Sequence, residues 1–134
     1  MSMDTIVKSN SNVVYSCHYH IVWVPKYRRK VLVAPYDARL KELIFEIVQK
    51  WRQEVIELEV MPDHVHLLVT CDPQFGIHRL VRLVKGASSH AMRQEFPELK
   101  KKLPSLWNNS YYCGTTGGVT LEVVKRYVES QKGK

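Results

Sequence analysis

Apolar and polar positions along the chain follow two periods, and the switches between them outline a fold. From Val13 to Val24 the run Val-Val-Tyr-Ser-Cys-His-Tyr-His-Ile-Val-Trp-Val is dense in β-branched and aromatic residues, which predicts a strand ended by Pro25. Leu40, Leu43, Ile44, Ile47, Val48 and Trp51 then fall at i, i+3, i+4, i+7, i+8 and i+11, one continuous apolar stripe of a helix. Asp37 is its expected N-cap. Period two returns from Val55 to Met61, with Ile56, Leu58 and Val60 on one face and Glu57 and Glu59 on the other. After the Pro62-Asp63 turn, His64 to Cys71 places Val65, Leu67 and Val69 on one face and His64, His66 and Leu68 on the opposite one. Two such runs around a short turn predict a β-hairpin.

A second helix is expected from about Gly76 to Glu95, with Ile77, Leu80, Val81, Val84 and Ala91 inward and Pro97 as its stop. The aromatic segment Leu106 to Cys113 should hold a short fourth strand. Gly114, Gly117 and Gly118 read as a hinge over 114–118, and Thr120 to Gln131 has helical periodicity. The order β-α-β-β-α-β plus a terminal helix is that of an α+β, ferredoxin-like split βαβ sheet. Both long helices should cover one face, with the C-terminal helix near the other. The first 12 residues, rich in Ser and Asn, read as a loose tail or a short edge segment ahead of a single domain spanning 1–134.

Composition narrows the class. At 134 residues the chain has room for one real core, and 45% hydrophobic with 25% charged residues excludes disorder as the default. Cys17, Cys71 and Cys113 are odd in number, dispersed and in no C-x-x-C pair, which argues against a disulfide scaffold or a zinc ribbon and for a reducing cytoplasm. The polar N-terminus has no signal-peptide core, and no apolar run approaches the roughly 20 residues of a membrane span. Lys plus Arg exceed Asp plus Glu by 20 to 13, for a net charge of +7. That balance biases a small domain toward polyanions, because neutralised phosphates release their counterions.

Candidate chemistry lies on the polar face of the hairpin. Residues i and i+2 of a strand are about 6.6 Å apart, so the imidazoles of His64 and His66 can converge on one cation. They can equally be polar residues on a solvated sheet face. In the terminal helix Tyr127 and Gln131 are four apart, hence neighbours on one face. Such a helix over the open sheet face could offer a phenol to a phosphate and a neutral oxygen to a metal; a lone tyrosine there could also be a packing aromatic.

The strings Met61-Pro62-Asp63-His64-Val65-His66-Leu67-Leu68 and Lys125-Arg126-Tyr127-Val128-Glu129-Ser130-Gln131, with Leu-Trp-Asn-x-Ser-Tyr at 106–111, closely resemble the single-tyrosine transposases of small bacterial insertion sequences. These belong to the His-hydrophobic-His superfamily and move as single-stranded DNA. The Lys26-Tyr27-Arg28 cluster and Lys85-Gly86-Ala87-Ser88 add to the resemblance, which runs from about Tyr15 to Gln131. It implies Tyr127 as nucleophile forming a 5′-phosphotyrosine, and His64, His66 and Gln131 as ligands of Mg²⁺ or Mn²⁺. It further implies hairpin-bearing single-stranded DNA as partner, and a homodimer whose sites are shared in trans. Membrane and nucleotide cofactor are not expected.

DNA contacts are expected from the basic-aromatic cluster Lys26, Tyr27, Arg28, Arg29 and Lys30, and from Arg79, Arg82 and Lys85 on the second helix. His18 and His20 read as polar sheet residues, and His78 and His90 as solvated helix residues. Glu57 and Glu59 could share the histidines' face, with the register left open. Two rival readings stand: a domesticated relative that processes repeated palindromes, and a non-catalytic ferredoxin-like module that binds single-stranded nucleic acid.

Overall fold

The computed structural model describes residues 8–115 and 121–133. A two-strand hairpin, β1 (Lys8–Ser9) with β2 (Val14–Tyr15), precedes β3 (His18–Trp23). Then follow α1 (Tyr36–Lys50), β4 (Glu54–Met61), β5 (His64–Thr70), α2 (Ile77–Glu95), α3 (Glu98–Lys102), β6 (Tyr112–Thr115) and α4 (Leu121–Ser130). The main sheet is antiparallel in the order β4-β5-β3-β6, the split βαβ arrangement expected from the element order.

The sheet has two unlike faces. Ile21, Trp23, Leu58, Val65, Leu67 and Val69 pack against Leu40, Ile44 and Val48 of α1 and Leu80, Val81 and Val84 of α2. The opposite face carries a small separate cluster in which Val124 and Val128 of α4 cover Val22 and Val24. Among the described residues no helix is long and apolar enough to cross a membrane.

Several local expectations need correction. Asp37 is not the N-cap of α1: the cap is Pro35, and the Asp37 carboxylate accepts from the neighbouring Ala38 amide inside the first turn. A β-bulge between Val55 and Glu57 ejects Ile56 from the alternation, so Val55 rather than Ile56 joins the core face. The fourth strand begins only at Tyr112, because residues 106–110 are held as a loop by contacts described below. Gly114, expected in the hinge, pairs with His20 as a strand residue. The rest of that hinge, from Thr116 to Gly118, lies outside the described residues. So do Met1 to Val7, whereas Lys8 and Ser9 pair as a short strand, the second of the two arrangements expected for this segment. The short α3 had no expectation at all.

Candidate active site

Strand register builds the histidine face. Antiparallel partners that sit opposite each other project to the same side. Glu59 is opposite His66, and Val22 is opposite His66 from the other edge. Glu57 and His20 flank Leu68 in the same way. The two glutamates therefore share the histidines' face. His64 opens β5 directly after the turn, opposite Met61.

Each histidine has a specific partner. His64 Nδ1 lies 2.9 Å from the Asp63 carboxylate. Because a carboxylate only accepts, this nitrogen donates, which leaves Nε2 as the nitrogen that can ligate. His66 Nε2 lies 2.9 Å from His20 Nδ1, a hydrogen bond in which one ring donates to the other. Burial lowers the pKa of both His20 and His66, the latter also disfavoured as a cation by His20. Both shifts favour the neutral ring, the state that ligates metals. His20, expected to be a plain sheet residue, thus belongs to this site.

Tyr127 and Gln131 meet a second group of side chains. The Tyr127 hydroxyl is 3.0 Å from Ser110 Oγ, and its ring lies 6.1 Å from that of Tyr112. Desolvation raises its pKa, with the Ser110 hydrogen bond acting in the opposite direction. The buried Gln131 accepts through Oε1 from Asn108 Nδ2 at 3.0 Å and from Ser110 Oγ at 3.1 Å. The 108–110 loop is in turn clamped by Lys85, whose ammonium donates to the Asn108 carbonyl at 2.7 Å and the Ser110 carbonyl at 3.0 Å. Burial pulls the Lys85 pKa down to about 8.

Fit to a divalent cation can be judged from the donors. Among the described residues no three His, Cys, Asp or Glu side chains converge as a metal group. His64 and His66 offer ring nitrogens, one of those of His66 shared here with His20, and a third ligand must be of another type. The Gln131 carbonyl is the right type, though both its lone pairs are taken by Asn108 and Ser110 here, so ligation would exchange one of those bonds. The two imidazoles suit Zn²⁺, while the amide carbonyl, with water, suits Mn²⁺ or Mg²⁺.

Arg28 joins the two groups. Its side chain, 15% exposed, reaches Asp63 at 3.8 Å, Glu129 at 3.3 Å and the Val128 carbonyl at 3.4 Å. Tyr27 and Arg28 both hold left-handed backbone, at φ 60° and 52°. For non-glycine residues that costs on the order of 1 kcal/mol each, and the turn at Lys26–Arg28 sends Arg28 inward.

The other DNA-contact candidates divide by surroundings. Tyr27, Arg29 and Lys30 are exposed, with the Lys26 ammonium 5.4 Å from the Tyr27 ring centre. Arg79 is exposed and stacks over Phe75 at 4.4 Å. Arg82 lines a cleft of about 300 Å³ between α2 and residues 105–111, with Lys85, Trp107 and Tyr111. His78 and His90 are exposed, although His78 also hydrogen-bonds the Tyr111 hydroxyl at 2.7 Å. Asn108, Ser110 and Asp63 were not expected as site residues; only the Leu-Trp-Asn-x-Ser-Tyr string and the His-x-His neighbourhood pointed near them.

Residues 13–131 match the family described as IS200-like transposases. The chain is 42% identical to the ISDra2 transposase TnpA of Deinococcus radiodurans over 130 residues, covering 96% of this chain and 93% of that one. It is 28% identical to the transposase for insertion sequence element IS200 of Salmonella typhimurium, covering 93% and 86%. A crystal structure of a protein assigned as a D. radiodurans transposase superposes with a TM-score of 0.85 at 38% identity, covering 95% of this chain and 99% of that one. The fold is shared with a REP-associated tyrosine transposase bound to a REP hairpin, at a TM-score of 0.58 and 14% identity, covering 92% and 69%. With a family match over nearly its whole length and a close relative along the same span, the chain belongs to the IS200-like transposase family, a family of DNA-cleaving enzymes.

Proposed function

We propose that this chain cuts and rejoins single-stranded DNA in a metal-dependent reaction, with Tyr127 as nucleophile. The observation that carries the reading is the placement of α4 on the sheet face that bears His64 and His66, with Gln131 one turn beyond Tyr127. The Tyr127 oxygen attacks the phosphorus, its proton passes to solvent, and the bond to the 3′ oxygen breaks, so that oxygen takes a proton from solvent and leaves as a hydroxyl. The 5′ phosphate stays on the tyrosine, and the bond energy is retained. A 3′-hydroxyl from a second DNA end then attacks the same phosphorus and releases the phenol, which rejoins strands without ATP. His64, His66 and Gln131 are the residues to hold Mg²⁺ or Mn²⁺. A divalent ion there would draw charge from a nonbridging oxygen and orient the phosphate for in-line displacement.

The proposed substrate is hairpin-bearing single-stranded DNA in the cytoplasm. The exposed Tyr27, Arg29, Lys30, Arg79 and Arg82 offer cations and rings for it. We assign Arg28 and Lys85 to the protein's own framework, since Arg28 reaches Asp63, Glu129 and the Val128 carbonyl and Lys85 donates to two backbone carbonyls. We further propose a homodimer that exchanges its tyrosine helices in trans. The support is the slight apolar contact that holds α4 to its own sheet.

Two experiments test this. His64→Ala/His66→Ala should abolish cleavage of hairpin DNA while leaving binding intact, and chelator-treated wild type that cuts undiminished would remove the metal from the reaction. Mixing that double variant with Tyr127→Phe, each inactive alone, should restore activity in heterodimers, with the adduct on the histidine-deficient chain. A verified heterodimer that stays inactive would exclude sharing in trans.

A further inference from the structure

We propose that Arg28 and Asp63 are positioning residues that couple docking of the tyrosine helix to the metal affinity of His64. This inference rests on the reading of His64 and His66 as ligands.

The two-residue turn Pro62-Asp63 leads directly into His64 at the start of β5. Asp63 Oδ1 accepts the hydrogen bond of His64 Nδ1–H at 2.9 Å, which leaves Nε2 as the coordinating nitrogen. A carboxylate in this place fixes the ring's tautomer and orientation and strengthens the ligand. The second oxygen of Asp63 faces Arg28 Nε at 3.8 Å. From the same guanidinium, Nη1 reaches the Glu129 carboxylate at 3.3 Å and the Val128 carbonyl at 3.4 Å. Val128 and Glu129 follow Tyr127 directly, so one side chain spans from the ligand-bearing turn to the nucleophile-bearing helix. The Val128 carbonyl lies in the last turn of α4, the negative end of the helix, where a cation is favoured.

Two features separate this arrangement from an incidental surface pair. The side chains of Arg28 and Asp63 are only 15% and 21% exposed, so solvent and salt screen them poorly. The backbone also accepts left-handed conformation at both Tyr27 and Arg28 to bring the guanidinium inward, while Arg29 and Lys30 remain exposed. When α4 leaves the sheet, Arg28 loses its anchors on Val128 and Glu129, and Asp63 loses the group that fixes its far oxygen. His64 is then held less well. By linkage, metal binding in turn strengthens helix docking.

The test is Mn²⁺ titration of the full chain, with free Mn²⁺ read by electron paramagnetic resonance. Wild type, Asp63→Asn, Arg28→Lys, the Asp63→Asn/Arg28→Lys pair and His64→Ala/His66→Ala are compared. Asp63→Asn keeps the turn and should weaken Mn²⁺ binding by about 10-fold or more. Arg28→Lys keeps the charge but not the planar fork. It should cause a smaller loss and speed amide exchange of residues 124–131. The pair should bind no more weakly than Asp63→Asn alone, because Arg28 acts through Asp63. Wild-type Mn²⁺ affinity in either single variant, or losses that multiply in the pair, would overturn the coupling while leaving the proposed function standing. Wild type binding no better than the histidine variant would overturn both.

Discussion

On one face of the sheet, Ile21, Trp23, Val65, Leu67 and Val69 interlock with two long helices, and Trp23 meets Trp107 edge to face at 5.8 Å. On the other, α4 rests on Val22 and Val24 through Val124 and Val128. Two buried valines contribute on the order of 3 kcal/mol, while fixing the backbone costs roughly 1–2 kcal/mol per residue. The first face is held by area, and no single polar contact decides it. The second is held by a few directed bonds: Tyr127 to Ser110, Gln131 to Asn108 and Ser110, and Arg28 to Val128. A helix docked this way can carry a nucleophile to and from a site without disturbing the domain beneath it.

The sharpest way to break this contrast is to cut each face in turn. Ile44→Ala opens the helix-covered core and should cost about 2–5 kcal/mol of global stability, measured by urea unfolding. A loss below 1 kcal/mol would mean that the two faces do not differ as described.

Lys85 should come next. Lys85→Met leaves the Asn108 and Ser110 carbonyls without their donor, a loss of about 1–3 kcal/mol, and should slow strand cleavage. The pH dependence has a definite sign. The folded pKa near 8 lies below the ordinary lysine value, so between the two the unfolded chain binds more protons and stability rises with pH. Relative to Lys85→Met, wild type should gain stability from pH 8 toward 10.5, and that gain is lost as pH falls through 8. A flat difference across this window would show that the Lys85 ammonium is not desolvated.

Val128→Ala should have the smallest global effect. It should leave the free energy of unfolding within about 1 kcal/mol of wild type while amide exchange in residues 124–131 speeds up. Equal effects on the whole domain and the helix would make α4 part of the main core.

Much of the first face was legible in the sequence, because burial against an extended partner imposes a period. Leu40 to Trp51 and the alternation of Val65, Leu67 and Val69 are direct imprints of it. What escaped depends on contacts distant in sequence. Ile56 looked like a core residue, and only the bulge moved it aside. His20 resembled any polar strand residue until the β3–β5 register set it against His66. Arg28 could not be told from Arg29 or Lys30, because its inward course is set by two left-handed backbone conformations. Asn108 and Ser110 lie in a loop without periodicity, and their roles come from Lys85 behind them and α4 in front.

The proposed role of Tyr127 as nucleophile on that weakly held helix can be tested directly. The full chain incubated with single-stranded hairpin DNA and Mn²⁺ should yield a denaturant-resistant protein–DNA adduct. Peptide mapping by mass spectrometry should place the phosphate link on Tyr127, and Tyr127→Phe should bind the hairpin normally yet form no adduct. An adduct mapped to another residue, or one formed at full yield by Tyr127→Phe, would contradict it.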